Sequence, residues 1–583
     1  MCDPAASCCL SMEKSTSRSV KMRTLRYHPD SCLARLVASL LVTMLVIAAS
    51  LPGADRGAAL AHKVPLAQQI QRIIRRPEFR HASFGVEFYS LDTNRPVYEL
   101  HAQDLFTPAS TTKLLTEGAA LELLGPGYRF HTRVYRTGPI GPGGVLHGDL
   151  VLVASGDSNL SQRIQPDGTL AFENDDHCYG GSAAPGDPLI VIKQLARQVA
   201  AHGVKQIAGL VLVDVSMFPE GEVEQATNTV ISPVIVNDNI VDVTASPGPV
   251  PGAPAALQVS PASAYVRFVN RATTGPADSK PKIQWSSDQT NPDGTHTVVV
   301  TGNMPLGKPA AFFPYPVPQP SRFAEVVFAE ALRQAGVAIA PNQAPTPDFK
   351  ALSASYTPQN LLAEHVSPPL AEDVKITLKV SQNLHADVMP YILGAIVGHA
   401  AQNIDQAGFN LERRFLEKAG LGLSGASQSD GEGASEAAFF TPDFVVHYLA
   451  FMHRQKVFPQ FFAGLPVLGR DGTLAHAERR SPAAGHIFAK TGTFFYYDKL
   501  NRNNMVTGKG LAGYLTTADG RHLAFAIYAN HVSVPAGDDS IDRIAGRALV
   551  EIAIAAYGAP AVARSRLAGR ATTGPDARRI VRP

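Results

Sequence analysis

The stretch TPASTTKLLTEGAALELL at residues 107–124 places a serine three residues before a lysine, at the start of a predicted helix that the GPG at 125–127 ends. In helical geometry Ser110 and Lys113 lie on one face, one turn apart. One interpretation is a helix-capping serine beside a solvated lysine. The other is a nucleophile with its own base, because a lysine at a helix N-terminus that is shielded from water gives up its proton more readily. The stretch alone is compatible with both.

The Ser-x-x-Lys pattern occurs three times in the chain, so it is weak by itself. Ser11 and Lys14 lie in the N-terminal leader. Ser279 and Lys282 enclose a proline and have no helical continuation. Only the pair that begins at Ser110 stands in a helical context.

Two further short motifs lie far downstream. Ser381 and Asn383, in KVSQNLHADV, form a polar interruption between two apolar helical stretches. A glycine inside a predicted strand, in AKTGTF, indicates close approach by another backbone. The residues of this third motif are Lys490, Thr491, Gly492 and Thr493. Each motif is ordinary alone, but the three in this order and context are hard to obtain by chance.

The order SxxK, SxN, KTG is the motif set of penicillin-binding proteins and β-lactamases. The long segment between the first two motifs makes the chain similar to the D-alanyl-D-alanine carboxypeptidase/endopeptidase family called penicillin-binding protein 4, which is class C, low molecular mass, and peptidase family S13. Further stretches that resemble this family are SPPLAEDVKITLKVSQNLHADVM, VNDNIVDVTASPG, GRDGTL and SPAAGHIFAKTGT. The chain departs from the family at DGEGAS, residues 430–435, where DGSGLS is usual, and at the GDS of residues 156–158. The resemblance covers nearly all of the chain after the leader.

This resemblance implies roles for the motif residues. Ser110 is expected to be the nucleophile, Lys113 its general base, and Ser381 the relay that passes a proton to the leaving amine. Asn383 is expected to bind the substrate amide and to position Lys113, and Lys490 to attract the terminal carboxylate. The hydroxyl groups of Thr491 and Thr493 stand beside that lysine, with Gly492 between them.

The resemblance also implies an α+β fold in which a transpeptidase-like lobe, an antiparallel sheet flanked by helices, is interrupted by a β-rich insertion. The expected segments are a signal peptide at 1–61, the lobe at 62–128 and 358–559, the insertion at 129–357, and a basic tail at 560–583. Alternating runs separated by Pro and Gly clusters favour strands in the insertion, with helices near 189–202 and 322–335. After residue 358 the pattern, beginning with NLLAEHV, is read as helical.

The N-terminal segment has the layout of a secretory signal. Basic residues precede an apolar run at 36–49, and small residues end at Ala61. A retained membrane anchor is less favoured, because the run is shorter than the ~20 residues that a span needs. Met22 is an alternative start. If the leader is removed, Cys178 alone remains and no internal disulfide is expected. We therefore expect a periplasmic or other extracytoplasmic location.

Composition and the remaining residues limit the alternatives. A net charge of +2 makes no case for nucleic acid, and the absence of HExxH and of clustered Cys and His predicts no metal or cofactor.

The basic tail is read as disordered, with cell-wall contact as a weaker alternative. A Ser-His-Asp site with His476, His486 or His531 is disfavoured, because no GxSxG elbow is present.

The expected partners are peptidoglycan stem peptides and cross-links, with β-lactams as covalent inhibitors. Two alternatives remain open at this stage. One is a β-lactamase-like hydrolase, and the other is a catalytically silent cell-wall binding protein that keeps the fold. A β-lactamase needs fast hydrolysis of the acyl-enzyme, and the sequence does not identify a carboxylate dedicated to that step.

Overall fold

The structure is a computed structural model that describes residues 64–340, 347–537 and 539–560. The predicted signal segment, the alternative start at Met22 and the basic tail after residue 560 lie outside the described residues. Within the described part of the chain, no helix combines the length and the apolar character that crossing a membrane requires.

The elements fall into three consecutive groups. The first group contains α1 (Leu66–Ile74), β1 (Ser83–Ser90), β2 (Arg95–Leu100) and α2 (Lys113–Leu124). The second contains β3 (His131–Arg136), β4 (Val145–Leu146), β5 (Leu150–Val153), α3 (Ile190–Ala201), β6 (Gln206–Ile207), β7 (Val211–Asp214), β8 (Ile240–Ser246), β9 (Ala256–Ser260), β10 (Val266–Asn270), β11 (Thr273–Gly275), β12 (Lys282–Thr290), β13 (His296–Pro305), β14 (Ala311–Pro316), α4 (Pro320–Gln334), β15 (Ala338–Ile339) and α5 (Phe349–Leu352). The third contains β16 (Leu361–Val366), α6 (Leu370–Val380), α7 (Asn383–Ile396), α8 (Ile404–Lys418), β17 (Ala426–Ser427), β18 (Phe439–Phe440), α9 (Pro442–Met452), α10 (Phe458–Gly464), β19 (Ile487–Asp498), β20 (Asn503–Thr516), β21 (His522–Asn530), β22 (Val532–Pro535) and α11 (Arg547–Gly558).

The sheet that carries the KTG motif is assembled from both ends of the described chain. Its strand order is β19-β20-β21-β1-β2, with β22 paired to β20, and the pairings are antiparallel. Side chains alternate between the two faces of a strand. In β21, Phe525 and Ile527 therefore pack in the cluster that includes α1 and α11 residues, whereas Ala526 and Tyr528 face the cluster around α2 and α9. Burial on both faces explains why LAFAIYA is apolar at nearly every position.

The middle of the chain forms several smaller sheets. One has the order β16-β3-β5-β7, a second β14-β8-β9 and a third β10-β13-β11 with β12 beside β13. A further three short strands pair as β15-β6-β4. Helices α3 and α4, which match the helices predicted near 189–202 and 322–335, supply apolar residues such as Leu195 and Phe328 to one core with these strands.

One secondary-structure prediction is wrong. NLLAEHV was read as helical, but Leu361–Val366 forms β16 and pairs antiparallel with β3. Tertiary packing overrides the helix propensity of these residues, because Leu362 and Ala363 are buried in the core that the strands of the middle segment share. This strand leads directly into α6 and the second motif.

Candidate active site

The nucleophile candidate lies on a tight turn in front of α2. Residues Ala109–Thr112 form a 3₁₀ turn that runs into the helix at Lys113, and Ala109 has a left-handed φ of 46°. A non-glycine residue in that region is strained, as is common at functional sites. Neither Pro108 nor Thr112, at the N-caps of the turn and the helix, makes a side-chain capping bond. Within the described residues, the Ser110 hydroxyl, at the second position of the 3₁₀ turn, is hydrogen-bonded to Lys113 Nζ rather than to a backbone N–H of the helix.

The Lys113 ammonium group is fully buried and faces three oxygen atoms. Its Nζ donates to Ser110 Oγ at 3.1 Å, to Asn383 Oδ1 at 2.6 Å and to the backbone oxygen of Glu432 at 3.0 Å. Burial lowers the pKa of Lys113, and the carboxyl groups of Glu432 and Glu224 offset part of that shift. A proton-accepting amine beside the serine is therefore easier to obtain here than on an exposed lysine.

The SxN turn is formed where α6 stops and α7 begins. Ser381 takes the left-handed conformation, with φ of 63°, which breaks the helix and turns its hydroxyl toward the KTG strand. Lys490 Nζ donates to Ser381 Oγ at 2.7 Å. Asn383, the first residue of α7, contacts Lys113 as described. The SxN motif is therefore hydrogen-bonded both to Lys113 of the first motif and to Lys490 of the third.

The KTG strand β19 packs directly against the nucleophile turn. A Cβ added at Gly492 would lie 2.5 Å from the backbone oxygen of Pro108 and 3.1 Å from the backbone nitrogen of Ser110. The glycine is required by this close approach, as expected for a glycine inside a strand. Burial, followed by the charges of Lys113 and Lys509, lowers the pKa of Lys490 well below its usual value.

The hydroxyl groups of the KTG motif each have a partner outside it. Thr491 Oγ1 lies 2.9 Å from Thr473 Oγ1, in the loop that contains GRDGTL. Thr493 Oγ1 accepts a hydrogen bond from Lys509 Nζ at 2.5 Å. The structure thus brings all eight predicted site residues together and adds groups that the motifs do not contain.

Residues from the middle of the chain brace the SxN turn. Tyr179 donates through its hydroxyl to the backbone oxygen of Ser381 at 2.6 Å, and Gln382 Nε2 donates to Cys178 Sγ at 3.1 Å. Asn383 Nδ2 donates to Glu224 Oε1 at 3.2 Å. Sequence reasoning missed these residues. The position of Cys178, as the one cysteine of the sequence after residue 61, was a signal that could have drawn attention to its neighbourhood.

A further residue that sequence reasoning missed is Glu432, inside the DGEGAS stretch. Its side chain is buried, and burial followed by the charge of Glu224 raises its pKa well above the usual value. Asp430, in the same stretch, accepts from the backbone nitrogen of Glu432 at 3.1 Å and that of Ser435 at 2.5 Å. The departure from the usual DGSGLS thus places an additional carboxyl group behind Lys113.

A buried ionic network lies beneath the SxN turn. Asp238 Oδ2 accepts from Arg163 at 2.7 Å and lies 2.6 Å from His177 Nε2, and its Oδ1 lies 2.9 Å from His385 Nε2. His385 Nδ1 in turn lies 3.0 Å from Asp373 Oδ1. Burial would lower the pKa of His385, but these carboxylates raise it to about 10. The network connects the middle of the chain to α7 two residues after Asn383.

The same region contains ligand-type atoms that could hold a metal ion. Asp176, His177, Cys178 and Asp238 place such atoms within 4.8 Å of one another. However, Arg163 donates to both Asp176, at 2.6 Å, and Asp238. A guanidinium group between the two carboxylates already supplies the positive charge there, which favours an ion-pair network over a metal site.

Comparison with known proteins decides the family. The family model described as D-Ala-D-Ala carboxypeptidase 3 (S13) family matches residues 66–549. The chain belongs to the S13 family. The D-alanyl-D-alanine carboxypeptidase of Actinomadura sp. (strain R39) is 30% identical over 535 residues, covering 88% of this chain and 89% of the relative. The D-alanyl-D-alanine carboxypeptidase DacB of Haemophilus influenzae is 22% identical over 459 residues, 76% of this chain and 84% of the relative.

Comparison with a solved structure shows the same fold. Penicillin binding protein 4 from Haemophilus influenzae superposes with a TM-score of 0.64 at 19% identity, covering 85% of this chain and 100% of that chain. The expected α+β class, the S13 resemblance and the serine-type hydrolase class are thereby confirmed. The roles of the individual motif residues and the segment boundaries stay predictions.

Proposed function

We propose that this S13 protein is a serine D-Ala-D-Ala carboxypeptidase or endopeptidase that trims or cuts peptidoglycan peptides through an acyl-enzyme on Ser110. One observation carries the proposal. The buried Lys113 Nζ contacts Ser110 Oγ and, at the same time, two fixed acceptors, Asn383 Oδ1 and the Glu432 backbone oxygen. Nucleophile and base are thus already in hydrogen-bond contact.

Acylation follows from the hydrogen bonds of Lys113. A neutral amine has two N–H groups and one lone pair. If the two N–H groups bond to Asn383 and to the Glu432 backbone oxygen, the lone pair is left for the Ser110 hydroxyl proton. Ser110 Oγ then bonds to the carbonyl carbon of the penultimate D-alanine. The backbone N–H groups of Ser110 and Thr493 are the proposed donors to the developing oxyanion, an interaction typically worth about 3–4 kcal/mol per donor.

The leaving group and water complete the reaction. The C–N bond breaks, and the proton that Lys113 took from Ser110 passes to the leaving amine through the Ser381 hydroxyl, which is held by Lys490. Water then hydrolyses the ester on Ser110 and releases the shortened peptide. Lys490 attracts the terminal carboxylate of the substrate, and β19 offers an edge to which the peptide can add as a strand.

The remaining expectations form part of the same proposal. The segment 129–357 is an insertion that guides or spaces the substrate, and the contacts of Tyr179 and Glu224 with the SxN turn support this. The lobe then consists of residues 62–128 and 358–559. Peptidoglycan stem peptides and cross-links are the proposed substrates, so the protein acts outside the cytoplasm. β-Lactams are proposed to acylate Ser110.

The test compares Ser110→Ala with Ser279→Ala, which changes the serine of the Ser-x-x-Lys pattern at residues 279–282. Ser279 also precedes a lysine by three residues, but it is half-buried and its hydroxyl donates to the backbone oxygen of Pro276 at 2.7 Å. We expect Ser110→Ala to abolish penicillin labelling and release of D-alanine, and Ser279→Ala to change neither. Mass spectrometry of purified wall peptides follows the products, because loss of one alanine and cutting of a cross-link differ in mass.

The same experiment separates the remaining alternatives. Cleavage that persists in Ser110→Ala would show that the nucleophile is wrong. Steady release of hydrolysed penicillin by the wild type would favour a β-lactamase. Absence of any peptide cleavage by folded wild-type protein would favour a binding protein.

A further inference from the structure

The motif set does not contain Lys509, yet this lysine reaches the KTG strand. We propose that Lys509 is a specificity-determining residue which, through the hydroxyl of Thr493, makes the site require a free carboxylate at the C-terminus of its peptide. This inference rests on the proposed function and adds to it a selection between charged and neutral peptide ends.

The register of the sheet brings the two residues together. Thr493 of β19 lies directly opposite Lys509 of β20. Facing residues of antiparallel strands project from the same face, so the ammonium group emerges beside the threonine hydroxyl. Lys509 Nζ donates to Thr493 Oγ1 at 2.5 Å and to Asp542 Oδ1 at 2.5 Å. Lys509 is only 4% exposed, whereas Thr493 is exposed. The ammonium group is thus buried beside a threonine that, as a residue, is open to solvent.

The chemistry of the donor decides the direction of the hydrogen bonds. An ammonium group has three donors and no acceptor, and a hydroxyl has one donor. Thr493 Oγ1 must therefore accept from Lys509, which leaves its own hydrogen available to another acceptor. A carboxylate presents acceptors alone, whereas a carboxamide presents an NH₂ group on one side. A hydroxyl fixed as a donor by a cation favours the carboxylate.

The charges around the KTG strand also favour a peptide that ends in a carboxylate. Lys490 is fully buried, and its Nζ donates to two neutral acceptors, Ser381 Oγ at 2.7 Å and the Thr491 backbone oxygen at 2.9 Å. The charge of Lys509 adds to that of Lys113 in disfavouring the charged form of Lys490. A substrate anion relieves this repulsion, and a neutral peptide end does not. Asp542, whose pKa Lys509 lowers, anchors the Lys509 ammonium group in the free protein.

The test uses two peptides and three variants. The peptides are an N-acylated tripeptide ending in D-Ala-D-Ala and the same peptide with a C-terminal carboxamide. Lys509→Met removes the positive charge, and Lys509→Arg keeps it. Lys499→Met is the control, which removes an exposed lysine near the hairpin turn that follows β19. For Lys509→Met, we expect kcat/KM to fall about 10-fold to 100-fold on the carboxylate and by less than about 3-fold on the carboxamide. Lys509→Arg should recover most of the difference, and Lys499→Met should equal wild type.

Several outcomes would overturn the inference. An equal loss on both peptides would show that Lys509 only supports the strand, and no loss on either would show that it is not involved. If Lys509→Met does not fold, Thr493→Val tests the same step, because it removes the hydroxyl through which the lysine acts. Failure of wild-type protein to cleave either peptide would refute the proposed function and this inference with it. If the wild type cleaves the peptides but Lys509→Met has the same ratio of kcat/KM between carboxylate and carboxamide, the inference alone is refuted.

Discussion

Replacement of Gly492 by alanine tests how closely the KTG strand must approach the nucleophile turn. The added Cβ would lie 2.5 Å from the Pro108 backbone oxygen, about 0.9 Å short of an ordinary van der Waals contact of about 3.4 Å. The three nearest atoms are backbone or Cβ atoms, including Ser110 N at 3.1 Å, so no flexible side chain can move aside. The strand and the turn must therefore separate by most of that distance.

The separation affects both stability and catalysis. Overpacking of this kind costs about 1–3 kcal/mol of unfolding free energy. Displacement of about 1 Å at a reacting centre costs about 10²-fold in rate, which corresponds to about 2.7 kcal/mol of activation free energy. We therefore expect penicillin acylation to slow by about 10²-fold in Gly492→Ala, while the melting temperature falls by only a few degrees.

The assay is the second-order rate of acylation by a fluorescent penicillin, with calorimetry on the same samples. Gly127→Ala is the control, because a Cβ at Gly127 meets no atom within 4 Å. It should acylate like the wild type. Acylation of Gly492→Ala within about 3-fold of the wild-type rate, in folded protein, would refute the argument that this contact positions Ser110.

Two further predictions concern charge. Acylation should slow as the pH falls through the pKa of Lys113, because the amine must be neutral to accept the Ser110 proton. Burial sets this pKa below the usual lysine value. A stopped-flow pH profile of the acylation rate without this decrease at low pH would contradict the assignment of Lys113 as the base. Asp238→Ala should lower the unfolding free energy by about 3–5 kcal/mol in urea titrations, because it leaves buried cations unpaired. The raised pKa of His385, about 10, implies stabilisation that is complete below its unfolded pKa of about 6.5 and is lost as the pH rises through about 10. Asp238→Ala should reduce this alkaline loss, and an unchanged loss would contradict the network.

The sequence was sufficient to predict the motif residues because each motif is local. Ser110 and Lys113 are one helical turn apart, and the glycine of the KTG strand signals close packing without any knowledge of its partner. The strands around the KTG motif also follow from their apolar pattern, since burial on both faces removes polar positions. Thr111 anchors the turn, because its hydroxyl donates to the Pro108 backbone oxygen at 2.8 Å and lies 3.1 Å from the hydroxyl of Tyr528.

What the sequence could not show are the contacts made across long separations. Tyr179, Glu224 and Lys509 meet the motifs only after the sheets have formed, and none of them belongs to a recognisable local pattern. The same limit explains the error at β16. LLAEHV has the composition of a helix, and only its pairing with β3, far away in the chain, makes it a strand.

The order of the strands in the catalytic sheet has a consequence for biogenesis. β1 is synthesised early, but its partner β21 comes near the end of the chain, with Ser83 opposite Asn530. Pairings between such distant segments form slowly, because a long loop must close first. The nucleophile turn therefore has no KTG strand to pack against until residues 487–498 have been synthesised, and a nascent chain without them lacks a complete candidate site.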